Sequence, residues 1–183
     1  MNEGRTPTTA VERLEKVAGT DLHDLCDAAE AAIKGGGGFG WLSVPPRHIM
    51  EAYWRGVLLV PERQVFVARL DGTICGSAQL ARTPRNNEAQ AFAAQLTSNF
   101  IAPWARGHGL ARHIVLVVED AARAAGFTIL NLDVRDTQTA AIQLYESLGY
   151  VRWGTHPAYA RVDGREIPGH YYFKRLGGEA PSR

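Results

Sequence analysis

Cysteine is scarce in this sequence, and its scarcity excludes more than any other feature of the composition. Only Cys26 and Cys75 occur in 183 residues, too few for a disulfide framework and too far apart for metal-ligand spacing. Set among apolar and small neighbours, both read as buried thiols behaving like small hydrophobes. The sequence leaves a bridge between them open, but a reducing, cytoplasmic setting is the simpler expectation. No metal site is expected. Long apolar runs are missing as well: nothing approaches the ~20 residues that span a bilayer. The polar start MNEGRTPTTAVERLEKV lacks the apolar core of a signal peptide, so a soluble protein with no membrane partner is expected. Neither sign of charge dominates. Mixed along the chain, 20 basic and 19 acidic residues give a net +1, which leaves no electrostatic footprint for nucleic acid. Internal repeats and a second domain boundary are absent too. A chain of this size, 45% hydrophobic, can bury a core without staples. It is therefore read as one domain over 9–176, with flexible ends at 1–8 and 177–183.

What is present is periodic. TAVERLEKV at 9–17 suits a first strand, with a helical start nearly as plausible. Asp21 reads as a helix cap, followed by Leu22, Leu25, Cys26, Ala29 and Ile33 on one helical face. The glycines from 35 to 38 end that helix. After Pro45 and Pro46, RHIMEAYWRGV predicts a second, shorter helix. QVFVARL and TICGSAQLA flank Asp71-Gly72 and predict a hairpin. A polar connection leads to AFAAQLTSNFIAP, a strand ending near Pro103. Residues 109–125 form the clearest helix. Its apolar stripe runs through Leu110, Ile114, Val117, Val118, Ala121 and Ala125, with Arg112, Glu119 and Arg123 facing elsewhere. FTILNLDV predicts an internal strand, 138–148 a further helix, and two β-prone runs about Asp163-Gly164 a closing hairpin. The pattern predicts an α/β fold, a mixed sheet with helices on both faces.

The informative stretch is IAPWARGHGLARHIV, 101–115. A strand ends, a glycine-interrupted loop follows, and an amphipathic helix begins at once. Gly107 and Gly109 let backbone N–H groups turn toward one point, and the helix start adds unpaired donors and a positive dipole end. Arg106 and His108 can add charge or hydrogen bonds, so the loop suits a phosphate or pyrophosphate. A nucleotide P-loop needs Lys-Ser or Lys-Thr where Leu110 and Ala111 stand. The dinucleotide fingerprint needs a third glycine that this loop lacks. Gly35–Gly40 follows a helix rather than a strand and fits neither.

The loop resembles the acetyl-CoA pyrophosphate loop of the GNAT superfamily of N-acetyltransferases, [QR]-x-x-G-x-[GA], through Arg106, Gly109 and Ala111. QTAAIQLYESLGY at 138–150 is similar to the same family's N-x-x-A-x-x-L-Y-x-x-x-G-[FY] segment through Ala141, Leu144, Tyr145, Gly149 and Tyr150, with Gln138 in place of asparagine. The flanks, DLCDAAEAAIKGGGGFGWL and PAYARVDGREIPGHYYFKRL, look like the branch that includes the tabtoxin-resistance acetyltransferases. The resemblance implies a mostly antiparallel sheet, acetyl-CoA as cosubstrate, and direct transfer to an amine. It implies that Phe100, Ile101 and Ala102 meet the pantetheine arm at a strand that splays at a bulge. Arg106, Gly107, His108, Gly109, Leu110 and Ala111 then hold the pyrophosphate, and Gln138, Ala141 and Tyr145 complete the cofactor contacts. Tyr145 is the candidate general acid that protonates the departing thiolate, and N–H groups near Ile101 can polarise the thioester carbonyl.

The base is left open between Glu88, Asp133, His170 and a water chain. Gln95 stands where relatives often carry a carboxylate. Trp41, Tyr53, Trp54, Tyr159 and Tyr171 are core residues by default, with one or two able to shape a pocket for an apolar or ring-bearing acceptor. The expected acceptor is a small amine-bearing molecule. A peptide acceptor and a noncatalytic acetyl-CoA sensor are the competing readings, and a homodimer is what the family's habits suggest.

Overall fold

The computed structural model describes residues 6–37 and 39–177, so most of both expected loose ends lies outside the described residues. Thr8 is tied down: its N–H donates to Asp71 Oδ1 at 2.9 Å, and the Asp71 N–H donates back to the Thr8 carbonyl at 2.8 Å. The elements run β1 (Thr9–Leu14), α1 (Asp21–Lys34), α2 (Arg47–Leu58), β2 (Arg63–Leu70), β3 (Thr73–Arg82), β4 (Ala93–Ile101), α3 (Leu110–Ala124), β5 (Ile129–Arg135), α4 (Thr139–Ser147), β6 (Val151–Val162) and β7 (Arg165–Arg175). Strand order is β1-β2-β3-β4-β5-β7-β6. β4 and β5 pair in parallel, while β1–β2, β5–β7 and β6–β7 are antiparallel. This is the mixed, mostly antiparallel α/β sheet that the sequence predicts. Both Asp-Gly dipeptides make tight turns, with positive φ at Asp71 (49°), Gly72 (87°), Asp163 (49°) and Gly164 (76°), the twist that a two-residue hairpin needs.

Two compact units are distinguishable along the chain. The first comprises residues up to Ala78 together with Ser98–Val117. Its core gathers Leu25, Cys26, Ala29 and Ile33 of α1, Met50, Trp54 and Val57 of α2, Val65 and Val67 of β2, Ile74 of β3, and Phe100 with Ala102. The predicted face of α1 is therefore the buried one. Asp21 is not the cap: Thr20 holds that position. Asp21 begins the helix, accepts the Ala18 N–H at 3.1 Å and pairs with Arg69 at 2.9 Å, so its carboxylate ties the helix start to β2.

The second unit comprises Gln79–Thr97 and the chain from Val118 onward. Leu130, Leu132 and Val134 of β5 are buried on one face, and Ile129, Asn131, Asp133 and Arg135 are half-buried on the other. Here the expected face of α3 needs correction. Val115, Glu119 and Ala122 are buried, whereas Ala125 beyond the helix end is exposed. Glu119 is 1% exposed because Lys174 Nζ donates to both its oxygens, at 2.8 and 2.7 Å, and Arg123 at 3.1 Å. A carboxylate so paired can be buried, which the sequence pattern of one helix does not reveal.

Two features of the first unit give testable expectations. Gly76 of β3 packs against the end of β4: a Cβ there would lie 2.5 Å from both the Phe100 carbonyl oxygen and Ile101 Cδ1. A backbone oxygen cannot swing aside, so Gly76→Ala should cost about 1–3 kcal/mol, read as a lower urea midpoint at unchanged slope. An unchanged midpoint would show that the β4 end is free to leave β3. Cys26 and Cys75 are buried free thiols, and desolvation pushes each up to about 11. At pH 8 the thiolate fraction is then about one in a thousand. A chromogenic aryl disulfide should label neither thiol in the native protein and both after denaturation.

Candidate functional site

The first unit carries the loop singled out by sequence. β4 contains a distortion at Ser98, whose φ is +52°, where a strand residue is ordinarily extended. Past it, Phe100, Ile101 and Ala102 are buried. The Ala102 N–H donates to the Cys75 carbonyl at 2.8 Å, and the Ala102 carbonyl accepts from Ala105 at 2.9 Å. The expected pantetheine bond at Ala102 is thus already used inside the protein. Strand alternation turns the N–H and C=O of Ile101 the opposite way, off the β3 side.

A single turn at Pro103–Ala105 then leads to Arg106, extended at φ −72° and ψ 162°. Gly107 (φ 86°) and Gly109 (φ 73°) follow, and α3 starts at Leu110. A Cβ on either glycine would meet nothing within 4 Å. Space is therefore not the reason for glycine here; the left-handed backbone is. Arg106, Gly107, His108 and Gly109 are exposed, Leu110 is buried beneath them, and Ala111 is half-buried. The first N–H groups of α3 have no partner inside the helix. The open loop with its positive helix end fits an anionic, phosphate-bearing group.

The second unit carries α4. Gln138 caps its start, half-buried, and its carbonyl accepts the Ile142 N–H at 3.0 Å. Ala141 is half-buried. Tyr145 is 6% exposed and sits edge-on to Tyr150, ring centroids 5.7 Å apart. Burial, reinforced by the nearby Glu119 carboxylate, pushes the Tyr150 hydroxyl well above the usual phenol range.

The candidate bases differ sharply in setting. Glu88 is exposed, in the short turn Glu88–Gln90 before β4. His170 is buried, and both ring nitrogens are engaged, Nε2 2.6 Å from Asp136 Oδ1 and Nδ1 2.9 Å from Thr155 Oγ1. Asp133 is half-buried; its Oδ1 accepts from Gln95 Nε2 at 3.0 Å, and its Oδ2 accepts from the Tyr159 hydroxyl. Burial, then the hydrogen bond to Asp133, raises the Tyr159 phenol above its ordinary range. The structure therefore gathers Gln95, Asp133 and Tyr159, three residues that sequence reasoning weighed one at a time. Alternation in ILNLDVR was the available signal, since it sets Asp133 on the face opposite the apolar Leu130 and Leu132.

The remaining aromatic candidates separate by unit. Phe39, Trp41, Tyr53, Trp54 and Phe100 pack ring against ring in the first, with Phe39 5.1 Å from Phe100 and Trp41 5.0 Å from Tyr53. Trp54 is fully buried. In the second, Tyr159 meets Tyr171 edge-on at 6.0 Å. Among the described residues, no group of acidic, cysteine or histidine side chains is arranged to hold a metal ion, and no helix is long and apolar enough to cross a membrane.

Comparison with known proteins adds the following. A family model described as acetyltransferase (GNAT) family matches residues 28–150. An uncharacterized N-acetyltransferase from the hisH-hisA intergenic region of Azospirillum brasilense is 65% identical over 128 residues, covering 70% of this chain and 76% of that protein. The N-alpha-acetyltransferase RimI of Mycobacterium tuberculosis is 30% identical over 122 residues, 67% of this chain and 72% of its own. Among solved structures, yncA of Salmonella typhimurium, determined with its cofactor acetyl-CoA, superposes with a TM-score of 0.74 at 17% identity. That match covers 95% of this chain and 98% of that one.

Proposed function

The chain belongs to the acetyltransferase (GNAT) family, and from that premise we propose that it moves the acetyl group of acetyl-CoA directly onto the amine of a small acceptor. One observation carries the reading: Gly107 and Gly109 take left-handed backbone beside Arg106, immediately before the 15-residue α3. That arrangement suits the pyrophosphate of acetyl-CoA, with Arg106 adding charge and His108, Leu110 and Ala111 shaping the turn. The N–H of Ile101, facing off the β3 side, is the donor offered to the pantetheine arm or thioester carbonyl. Phe100 and Ala102 position it from the core rather than by bonds of their own. On α4, Gln138 and Ala141 are the cofactor-side residues, and Tyr145 is the proton donor to the departing thiolate. The bound cosubstrate supplies an activated acyl group; the protein orients it and moves two protons.

The flanking likeness to the tabtoxin-resistance branch supports a small acceptor. A peptide N-terminus is the second reading, favoured by the 30% identity to RimI, named an N-alpha-acetyltransferase. An acceptor screen of small amines beside short peptides separates them by turnover.

Isothermal titration with acetyl-CoA tests the cofactor reading. The parent should bind. Arg106→Ala should weaken binding about tenfold, in line with one charge-assisted hydrogen bond. Gly109→Trp, which sets a ring over the loop and strains its left-handed backbone, should abolish it, with circular dichroism confirming that the protein is folded. No binding by a folded parent would overturn the reading. Tyr145→Phe should keep acetyl-CoA affinity and lose about 10²-fold in turnover; unchanged turnover would remove Tyr145 from the chemistry.

A further inference from the structure

In the second unit, two carboxylates among the described residues are not exposed, Glu119 and Asp133. Glu119 is saturated by Lys174 and Arg123. Asp133 meets only neutral donors, the Gln95 amide and the Tyr159 hydroxyl. Arg135 lies two residues along the same face of β5 without forming an ion pair to it, and the β7 residue opposite is Tyr171. A half-buried carboxylate held by neutral donors is oriented without a directly paired cation, which suits a cation brought by a ligand.

The aim of Tyr159 is built in. Between His156 and Ala160 the β6–β7 register slips, with His156 opposite Gly169 and Ala160 opposite Ile167. The extra residues bulge, pinned by the Ala158 N–H donating to His156 Nδ1 at 3.0 Å. The Tyr159 ring then lies directly on Gly169, where any Cβ would collide with it. Gln95 is shared with a neighbouring cavity of about 400 Å³ whose lining mixes Arg82, Gln90 and Asn131 with Pro84, Phe92 and Ile129, within the size range of small-molecule sites.

We infer that Asp133 is the acceptor's anchor and base, receiving the ammonium of a small polar amine whose body occupies the cavity beyond Gln95. This rests on the acetyltransferase reading above. The ammonium passes one proton to the Asp133 carboxylate. The freed nitrogen lone pair forms the C–N bond as the C–S bond breaks, and the thiolate leaves with a proton from Tyr145. The amide nitrogen gives up its second proton, so one proton is released to solvent per turnover. Gln95 and Tyr159 are positioning residues that act through Asp133.

The test uses the full chain and four probes: ethanolamine, 1,4-diaminobutane, butylamine and phenethylamine. Asp133→Asn should bind acetyl-CoA as the parent does and lose roughly 100-fold in kcat/KM at pH 7. Its rate should then climb about tenfold per pH unit with the free-amine fraction, whose pKa is about 10, so that the deficit shrinks below about tenfold at pH 9.5. Tyr159→Phe removes a hydrogen bond that favours the charged carboxylate, so the acidic limb of the pH profile should move up. Gly169→Ala, displacing the ring, should move it the same way, whereas a purely structural role would lower rates without moving the limb. Ethanolamine and diaminobutane should exceed butylamine and phenethylamine. As a readout independent of turnover, the Asp133 carboxyl ¹³C resonance should shift saturably with ethanolamine. Full activity of Asp133→Asn at pH 7, or a carboxyl signal indifferent to ethanolamine, overturns the assignment. A preference for the apolar amines overturns a polar acceptor body held beside Arg82, Gln90 and Asn131. Failure of the parent to bind acetyl-CoA would instead strike the underlying function.

Discussion

Ser98 divides β4 into two halves with different hydrogen-bonding obligations. Before it, Ala93 to Gln95 pair in parallel with Ile129 to Asn131. After it, the strand end is bound toward β3 through the Ala102 N–H and the Cys75 carbonyl. A serine at φ +52° costs of order 1–3 kcal/mol and persists only where its surroundings fix it. They do: Phe100 and Ala102 are locked in the core with Trp54 and Ile74, and Gly76 admits the strand end at a distance no side chain would allow. Buried backbone groups must find partners. On the proposed reading, the groups of Ile101 that face away from β3 take up the strand-like arm, as an extended ligand binds at a sheet edge.

The second unit sets one carboxylate against another. Glu119 and Asp133 share their chemistry, and their neighbours give them opposite employment. Glu119 is buried and doubly paired, so removing one partner would leave charge uncompensated, a loss of about 3–5 kcal/mol for a buried pair. It belongs to the architecture that binds α3 to β7 and, through Arg123 Nε and the Leu176 carbonyl at 2.8 Å, to the chain beyond β7. Asp133 receives orientation without neutralisation. That difference, rather than exposure alone, separates a structural acid from one free to meet a cationic substrate. His170 is held on both sides of its ring, by Asp136 and Thr155.

The order of elements was legible because period and punctuation agree along the chain. Asp71-Gly72 and Asp163-Gly164 declare their hairpins, and Gly35, Gly126 and Gly149 end the helices they follow. The loop at 106–111 was legible because its chemistry is local: glycine dihedrals and a helix start lie within six residues. Features that join distant residues were not. The stripe of α3 holds at Leu110, Ile114 and Val118, but Glu119 was misplaced because it finds Lys174 across 55 positions, a partner that a helical wheel cannot anticipate. Asp21 was taken as a cap because its bond to Arg69 arises only once β2 lies beside α1. The Gln95–Asp133–Tyr159 group escaped for a third reason. Alternation along β6 alone cannot place Tyr159, because it lies in the unpaired bulge between His156 and Ala160.

These settings also restrict which groups can trade protons. The Tyr159 and Tyr150 phenols are both pushed upward by burial with a carboxylate nearby, so across the neutral range each remains protonated. Tyr159 is accordingly a fixed donor to Asp133 and never a base in its own right. Its bond steadies the carboxylate in its charged form, the form that attracts an ammonium. Tyr150 is likewise a permanent neutral wall beside Tyr145. On the proposed reading, Asp133 accepts a proton from the incoming nitrogen and Tyr145 gives one to the departing sulfur. Acyl transfer from a thioester to an ammonium takes two protons from the nitrogen and gives one to the sulfur, so one proton leaves to solvent.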